Sequence, residues 1–287
     1  MSNFSKAVLS VAIILTIHSC RTITSPSETA NIVGRVMLLG PGYRQFTPPY
    51  NGVQIKMEGT SFSALSDSNG YYSFTGVPTG TYNVSFTKPG YGTVRWMSAT
   101  VTGGGNAPIV WSGGPYSYAP GSVPYQTQYL FKIPNLVVTL GSIDFKDTAA
   151  AENSFGNALI ARGTVTPDPL IDAKFDDAIV LFVSHRSNVT DVPGHYDITF
   201  WRWEGFICGT YPNYPVDTTT NRFTYAVPTS SLKYYGFKSG DSIYVAAYGT
   251  SSYYANAGGD YYDPILQQWV FTAINPTPSP VIGTVVP

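Results

Sequence analysis

The sequence predicts an all-β protein of two β-sandwich domains, on three observations. The 287 residues include 28 glycines and 22 prolines, which punctuate the chain too often for long helices. The 22 tyrosines, 15 phenylalanines and 5 tryptophans are residues that pack well on pleated surfaces. Several segments alternate apolar and polar residues at period two, as half-buried strands do. The length suits two compact domains. Read in order, the chain divides into a signal segment (1–19), a tether (20–30), a first sandwich (31–140), a second sandwich (141–275) and a proline-rich tail (276–287).

Charge narrows the function classes. Charged residues are 11% of the chain, against about 25% in an average soluble domain. The formal net charge is −1. Neither a disordered, self-repelling chain nor an electrostatic nucleic-acid binder fits this balance, and no nucleic-acid partner is expected. With Cys20 and Cys208 as the two cysteines, a disulfide framework and a cysteine-rich zinc site are both excluded.

At the N-terminus, Lys6 precedes the apolar run Ala7 to Ile17. As a helix that run rises only about 16 Å, half a bilayer, so it reads as an export signal rather than a membrane span. The junction Ile17-His18-Ser19-Cys20 resembles the bacterial lipobox, although His18 stands where a small residue is usual. That resemblance implies lipid attachment at Cys20, and acyl chains there would hold the protein on a membrane. The expected address is the cell envelope, as an outer-membrane lipoprotein facing the periplasm or the exterior. The residues after Cys20, rich in Ser and Thr, form the tether.

In the first domain, Val53, Ile55 and Met57 alternate with Gln54, Lys56 and Glu58, and Tyr82, Val84 and Phe86 repeat the pattern. Asp67-Ser68-Asn69-Gly70 lies between Phe62–Leu65 and Tyr71–Phe74, which predicts a β-hairpin with a tight turn. Gly76-Val77-Pro78-Thr79-Gly80 marks another turn. The succession from Gly34 through Pro49 to Val53, Asp67 to Tyr72, Val77-Pro78, Gly80-Thr81-Tyr82 and Lys88-Pro89-Gly90-Tyr91 resembles the carboxypeptidase regulatory-like domain. The resemblance covers residues 31 to about 101, and more loosely 130–140. It implies a transthyretin-like sandwich of about seven strands and a non-catalytic accessory module. Peptidase activity is not implied, because neither His185 nor His195 begins a His-x-x-Glu zinc motif. Residues Gly103 to Gln128 read as a long, tyrosine-bearing insertion.

In the second domain, strands are expected near 158–165, 178–183, 198–203, 222–227, 242–248 and 268–273. Phe237 to Val245 resembles the approach to strand F of fibronectin type III domains, with Tyr244 displaced by one position. An immunoglobulin-like sandwich is therefore expected. Prolines 276, 278 and 280 read as an exposed tail.

Chemistry is sparse. No Gly-x-Ser-x-Gly elbow, P-loop or dinucleotide fingerprint occurs, and no catalytic residue, metal site or cofactor is expected. His185, His195, Asp191 and Asp197 are irregularly spaced for metal ligation. Asp168, Asp172, Asp176 and Asp177 lack a calcium-loop spacing and read as a solvated acidic loop. Cys208 sits among apolar neighbours. Aromatic residues remain as candidate ligand contacts: Trp201 and Trp203, which share one strand face and either fill the core or present rings, and the pairs Tyr253-Tyr254 and Tyr261-Tyr262. The triplets at Asp147-Thr148, Asp217-Thr218 and Asp241-Ser242 resemble a bacterial O-glycosylation acceptor, which makes Thr148, Thr218 and Ser242 candidate acceptors. The function expected is a non-catalytic envelope lipoprotein that binds or displays, with a glycan or an envelope protein as partner. A structural spacer or assembly subunit is the alternative, and a hydrolase using Asp172 or His195 is the least favoured class.

Overall fold

The computed structural model describes residues 28–40, 48–102, 127–147, 157–166, 168, 179–200, 216–217, 221–251 and 261–287. Among the described residues the first sandwich has seven strands: β1 (Thr29–Leu39), β2 (Gln54–Met57), β3 (Ser63–Leu65), β4 (Tyr71–Pro78), β5 (Gly80–Thr87), β6 (Val94–Val101) and β7 (Thr127–Phe131). One sheet has the order β4-β1-β7 and the other β3-β2-β5-β6. All pairings are antiparallel except β1 with β7. The alternation read from the sequence is realised, with Val53, Ile55, Met57, Val84 and Phe86 all fully buried. They meet Ile32, Val36, Phe74, Trp96 and Leu130 in one core. Burying each large apolar side chain contributes roughly 1.5–3 kcal/mol.

The hairpin expected around Asn69-Gly70 is corrected by the topology. The turn itself closes: the Gly70 N–H donates to the Asp67 carbonyl (3.0 Å) and the Asp67 N–H to the Tyr71 carbonyl (2.9 Å). Its arms then part, β3 pairing with β2 and β4 with β1 in the opposite sheet. Gly70 explains the divergence. Its φ is +86°, and a Cβ would lie 2.0 Å from the Val36 carbonyl oxygen, so the turn is pressed onto β1 rather than standing clear.

The second sandwich contains β8 (Val137–Asp147), β9 (Asn157–Thr166), β10 (Ile179–Ser184), β11 (Ile198–Phe200), β12 (Val216–Asp217), β13 (Arg222–Pro228), the short helix α1 (Thr229–Tyr234), β14 (Ser242–Gly249) and β17 (Ile282–Val285). Between the last two lies a separate hairpin, β15 (Tyr261–Asp263) with β16 (Gln268–Val270). The sheets run β12-β13-β9-β8 and β11-β10-β14-β17. Position 140, where the sequence reading divides the chain, lies within β8, whose Val138, Leu140 and Ile143 join the second core. Every residue of β10 is buried. Leu181 and Val183 face the sandwich core, while Val180 and Phe182 face an outer layer formed by Val189, Tyr196, Phe271 and Ile274. That two-sided burial is why 178–183 is continuously apolar in sequence.

Two further expectations change. The tail is largely exposed, as expected, but it is not a free end: after Pro280 the chain forms β17 on β14, Val286 is buried, and the Ser279 hydroxyl accepts the Ala247 N–H (2.8 Å). The prolines lie before the ladder begins, where no donor is required of them. Asp168 is not part of a solvated loop. It is 1% exposed, and its carboxylate accepts the Asn135 N–H (2.8 Å). Asp172, Asp176 and Asp177 lie outside the described residues.

The two modules meet along a seam. Leu39, Phe131 and Ala273 form a small core of their own. The Ser251 hydroxyl donates to the Lys132 carbonyl (2.5 Å) and the Asn275 amide to the Pro134 carbonyl (3.1 Å). These bonds satisfy carbonyls of the connecting segment 132–136 that burial would otherwise leave unpaired.

Candidate functional site

The β15–β16 hairpin brings an aromatic pair to the surface. Tyr262 and Trp269 face each other across the two strands, with ring centroids 5.8 Å apart at 67°. Such edge-on cross-strand pairs are favourable because the ring edge is positive and the ring face negative. Tyr262 is 44% exposed, while Trp269 is partly buried against the outer layer. The connecting turn carries Ile265, 80% exposed, and Leu266, 46% exposed. Asp263 shapes this turn, its buried carboxylate accepting the N–H groups of Ile265 (2.9 Å) and Leu266 (3.1 Å).

Two side chains lock the hairpin to the loop that follows β10. The Gln268 amide donates to the Tyr196 carbonyl (2.7 Å) and its carbonyl accepts the Gly194 N–H (2.9 Å). The Tyr196 hydroxyl donates to the Trp269 carbonyl. On the opposite side of β15, Tyr261 is half-buried and lies beside Arg95 of the first sandwich, whose β6 packs next to β15. Of the aromatic candidates, the structure thus places Tyr262 on the surface and Tyr261 against the neighbouring module. Trp201, Trp203, Tyr253 and Tyr254 lie outside the described residues, as do Cys20, Cys208, Thr148 and Thr218. Ser242, the remaining glycosylation candidate, has an exposed side chain at the start of β14.

Sequence reading missed a second aromatic surface. Tyr234 (83% exposed) and Tyr235 (42% exposed) stand at 89° to each other at the end of α1, and Tyr235 meets the edge of Phe200. It also missed Ile265 and Leu266. The Asp263-Pro264 step before them is a turn signal that the sequence offered.

The histidines do not converge. His185 Nδ1 lies 2.9 Å from Asp197 Oδ2 and its Nε2 is 3.6 Å from Asp241, with the ring stacked on Phe237. His195 pairs with Thr190 (3.0 Å). Burial alone would raise the Asp197 pKa, but hydrogen bonds from the His185 N–H, the His185 ring and the Ser184 hydroxyl outweigh it and hold the carboxyl below its ordinary value. Among the described residues, no group of three or more His, Cys, Asp or Glu side chains is arranged to hold a metal ion.

Comparison with known proteins gives one family match. No curated protein matches significantly. Among solved structures, a type II cohesin–X-dockerin complex from Acetivibrio cellulolyticus is 29% identical over 30% of this chain and 58% of the other, with a TM-score of 0.24. The chain thus spans less than two thirds of that relative. A DUF3823 family protein from Bacteroides uniformis is 14% identical over 91% of this chain and 100% of its own, at TM-score 0.29. A second Bacteroides uniformis protein, provisionally assigned to carbohydrate binding, is 14% identical over 90% and 100%, at TM-score 0.26. The family match is to residues 47–110, which take in β2 to β6 of the first sandwich, and the chain therefore carries a carboxypeptidase regulatory-like domain.

Proposed function

We propose that this protein is a non-catalytic module of the cell envelope whose second sandwich presents the β15–β16 hairpin to a neutral glycan. The observation that carries the reading is the exposed Tyr262 ring backed by Trp269 on a hairpin that itself carries almost no charge. Residues 261–270 contain one ionisable acid, Asp263, and its carboxylate is buried and spent on the turn. A tyrosine face stacks on the apolar face of a sugar ring and loses little side-chain entropy in doing so. Anchoring by acyl chains on Cys20, in the outer membrane, completes the proposal, and fewer than ten residues separate that cysteine from Thr29 at the start of β1.

Retention of the mature protein on neutral-polysaccharide gels tests the site. Retention should persist as salt rises from about 0.05 to 0.5 M, a range that screens charge-driven contacts. It should disappear with Tyr262→Ala. Charge-dependent retention, or retention that survives the substitution, would remove the hairpin as the glycan surface. The anchor is checked by the intact mass of the protein from membranes, with Cys20→Ser expected in the soluble fraction.

A second reading, an assembly subunit, is favoured by Ile265 and Leu266, whose aliphatic side chains suit a protein partner better than a sugar. Stoichiometric co-purification of an envelope protein, lost with Ile265→Ser plus Leu266→Ser, would establish it.

A further inference from the structure

The β15–β16 hairpin consists of two three-residue strands that join neither four-stranded sheet of the second sandwich nor any sheet of the first. A two-stranded ribbon of this size is marginal in water by itself, so its pose depends on what it leans against. On one side it leans on the loop after β10, through Gln268 and Tyr196. On the other it lies against β6, where Arg95 is held by Glu58 in a forked pair, with Nε donating to Oε1 at 2.8 Å and Nη2 to Oε2. The guanidinium so held lies beside Tyr261 of β15. A fork already oriented by a carboxylate presents its further N–H groups in a fixed direction.

We propose that the first sandwich is a buttress for this hairpin, with Arg95 as the positioning residue, so that the Tyr262 face is presented only while the two modules are docked. The proposal rests on the glycan reading for its ligand, but its structural part stands without one. Successive residues of β15 point to opposite sides, so fixing Tyr261 toward the first module turns Tyr262 to solvent. A second contact follows shortly after β16. Gly92, just before β6, approaches Thr272 so closely that a Cβ would lie 2.6 Å from the Thr272 carbonyl carbon. Two residues of the first module therefore lie against this part of the chain, Arg95 beside Tyr261 in β15 and Gly92 against Thr272 just past β16.

Hydrogen–deuterium exchange on the full chain tests this without ligand. Arg95→Met and, separately, Gly92→Ala should speed exchange of the amides in 261–270 by about tenfold or more and leave β10 and β14 unchanged. Retention on the polysaccharide gel should fall in the same variants. Unchanged exchange in 261–270, whether or not retention falls, would overturn the buttress. Faster exchange with full retention would support it and instead move the glycan site off the hairpin. Should Arg95→Met also loosen β2 and β5, Tyr261→Phe, which removes only the hydroxyl, decides on the same readout.

Discussion

Tyr72 shows how a single atom can be out of place in a well-packed core. Its ring meets Phe74 and Phe86 edge-on at 5.9 and 6.0 Å and covers Gly34, where a Cβ would strike it at 2.2 Å. Its hydroxyl is buried without a hydrogen-bond partner among the described residues, and burial drives its pKa well above that of an ordinary phenol. An unpaired buried hydroxyl costs about 1–3 kcal/mol, so Tyr72→Phe should keep or raise stability in urea titrations, and a clear loss would mean that the hydroxyl is satisfied after all. Asp197 illustrates the opposite case. Because its folded-state pKa lies below the ordinary value, its contribution is complete above about pH 4 and is lost as pH falls through the depressed folded value. The urea midpoint of the native protein should therefore drop more steeply below pH 4 than that of Asp197→Asn, and parallel curves would refute the assignment.

At the scale of elements, the strands with clean alternation, β2 and β5, were legible because one face meets the core and the other meets solvent or polar neighbours. β10 was legible as a strand from its continuous apolar run, though not the reason for it, which is an outer layer assembled from residues 189–196 and 271–274. The turn at Asp67–Gly70 was legible, but the destination of its arms was not, since that depends on Val36 in a strand distant in sequence. β17 was hidden by its prolines. The Ser279 hydroxyl matters to it because it pairs the Ala247 N–H inside β14, and Ser279→Ala should cost about 1–3 kcal/mol by leaving that donor buried and unpaired. A negligible effect in thermal or chemical denaturation would show the strand end to be expendable. At the candidate site, Tyr261 and Tyr262 were legible as an aromatic pair, but which of them faces solvent was not. Arg95 could not be singled out, because its partner Glu58 and its neighbour Tyr261 come together only in the folded chain.

For the molecule as a whole, the seam decides whether two sandwiches behave as one body. Leu39, Phe131 and Ala273 exclude water between them, and Ser251, Asn275 and Asp168 satisfy the backbone of the connecting segment. Separating the modules would expose these groups together. Calorimetry should accordingly show one unfolding transition, and two resolved transitions would mean that the seam is too weak to couple them. The same layout gives β1 a mechanical meaning. Its first residue pairs near the turn at Pro78, and its last touches the second module, so eleven residues of strand, about 33 Å, separate the two ends. Were the chain anchored ahead of Thr29, as proposed, the first sandwich would stand between the anchor and the second as a riser, setting the height of the distal block and limiting how far it could sway.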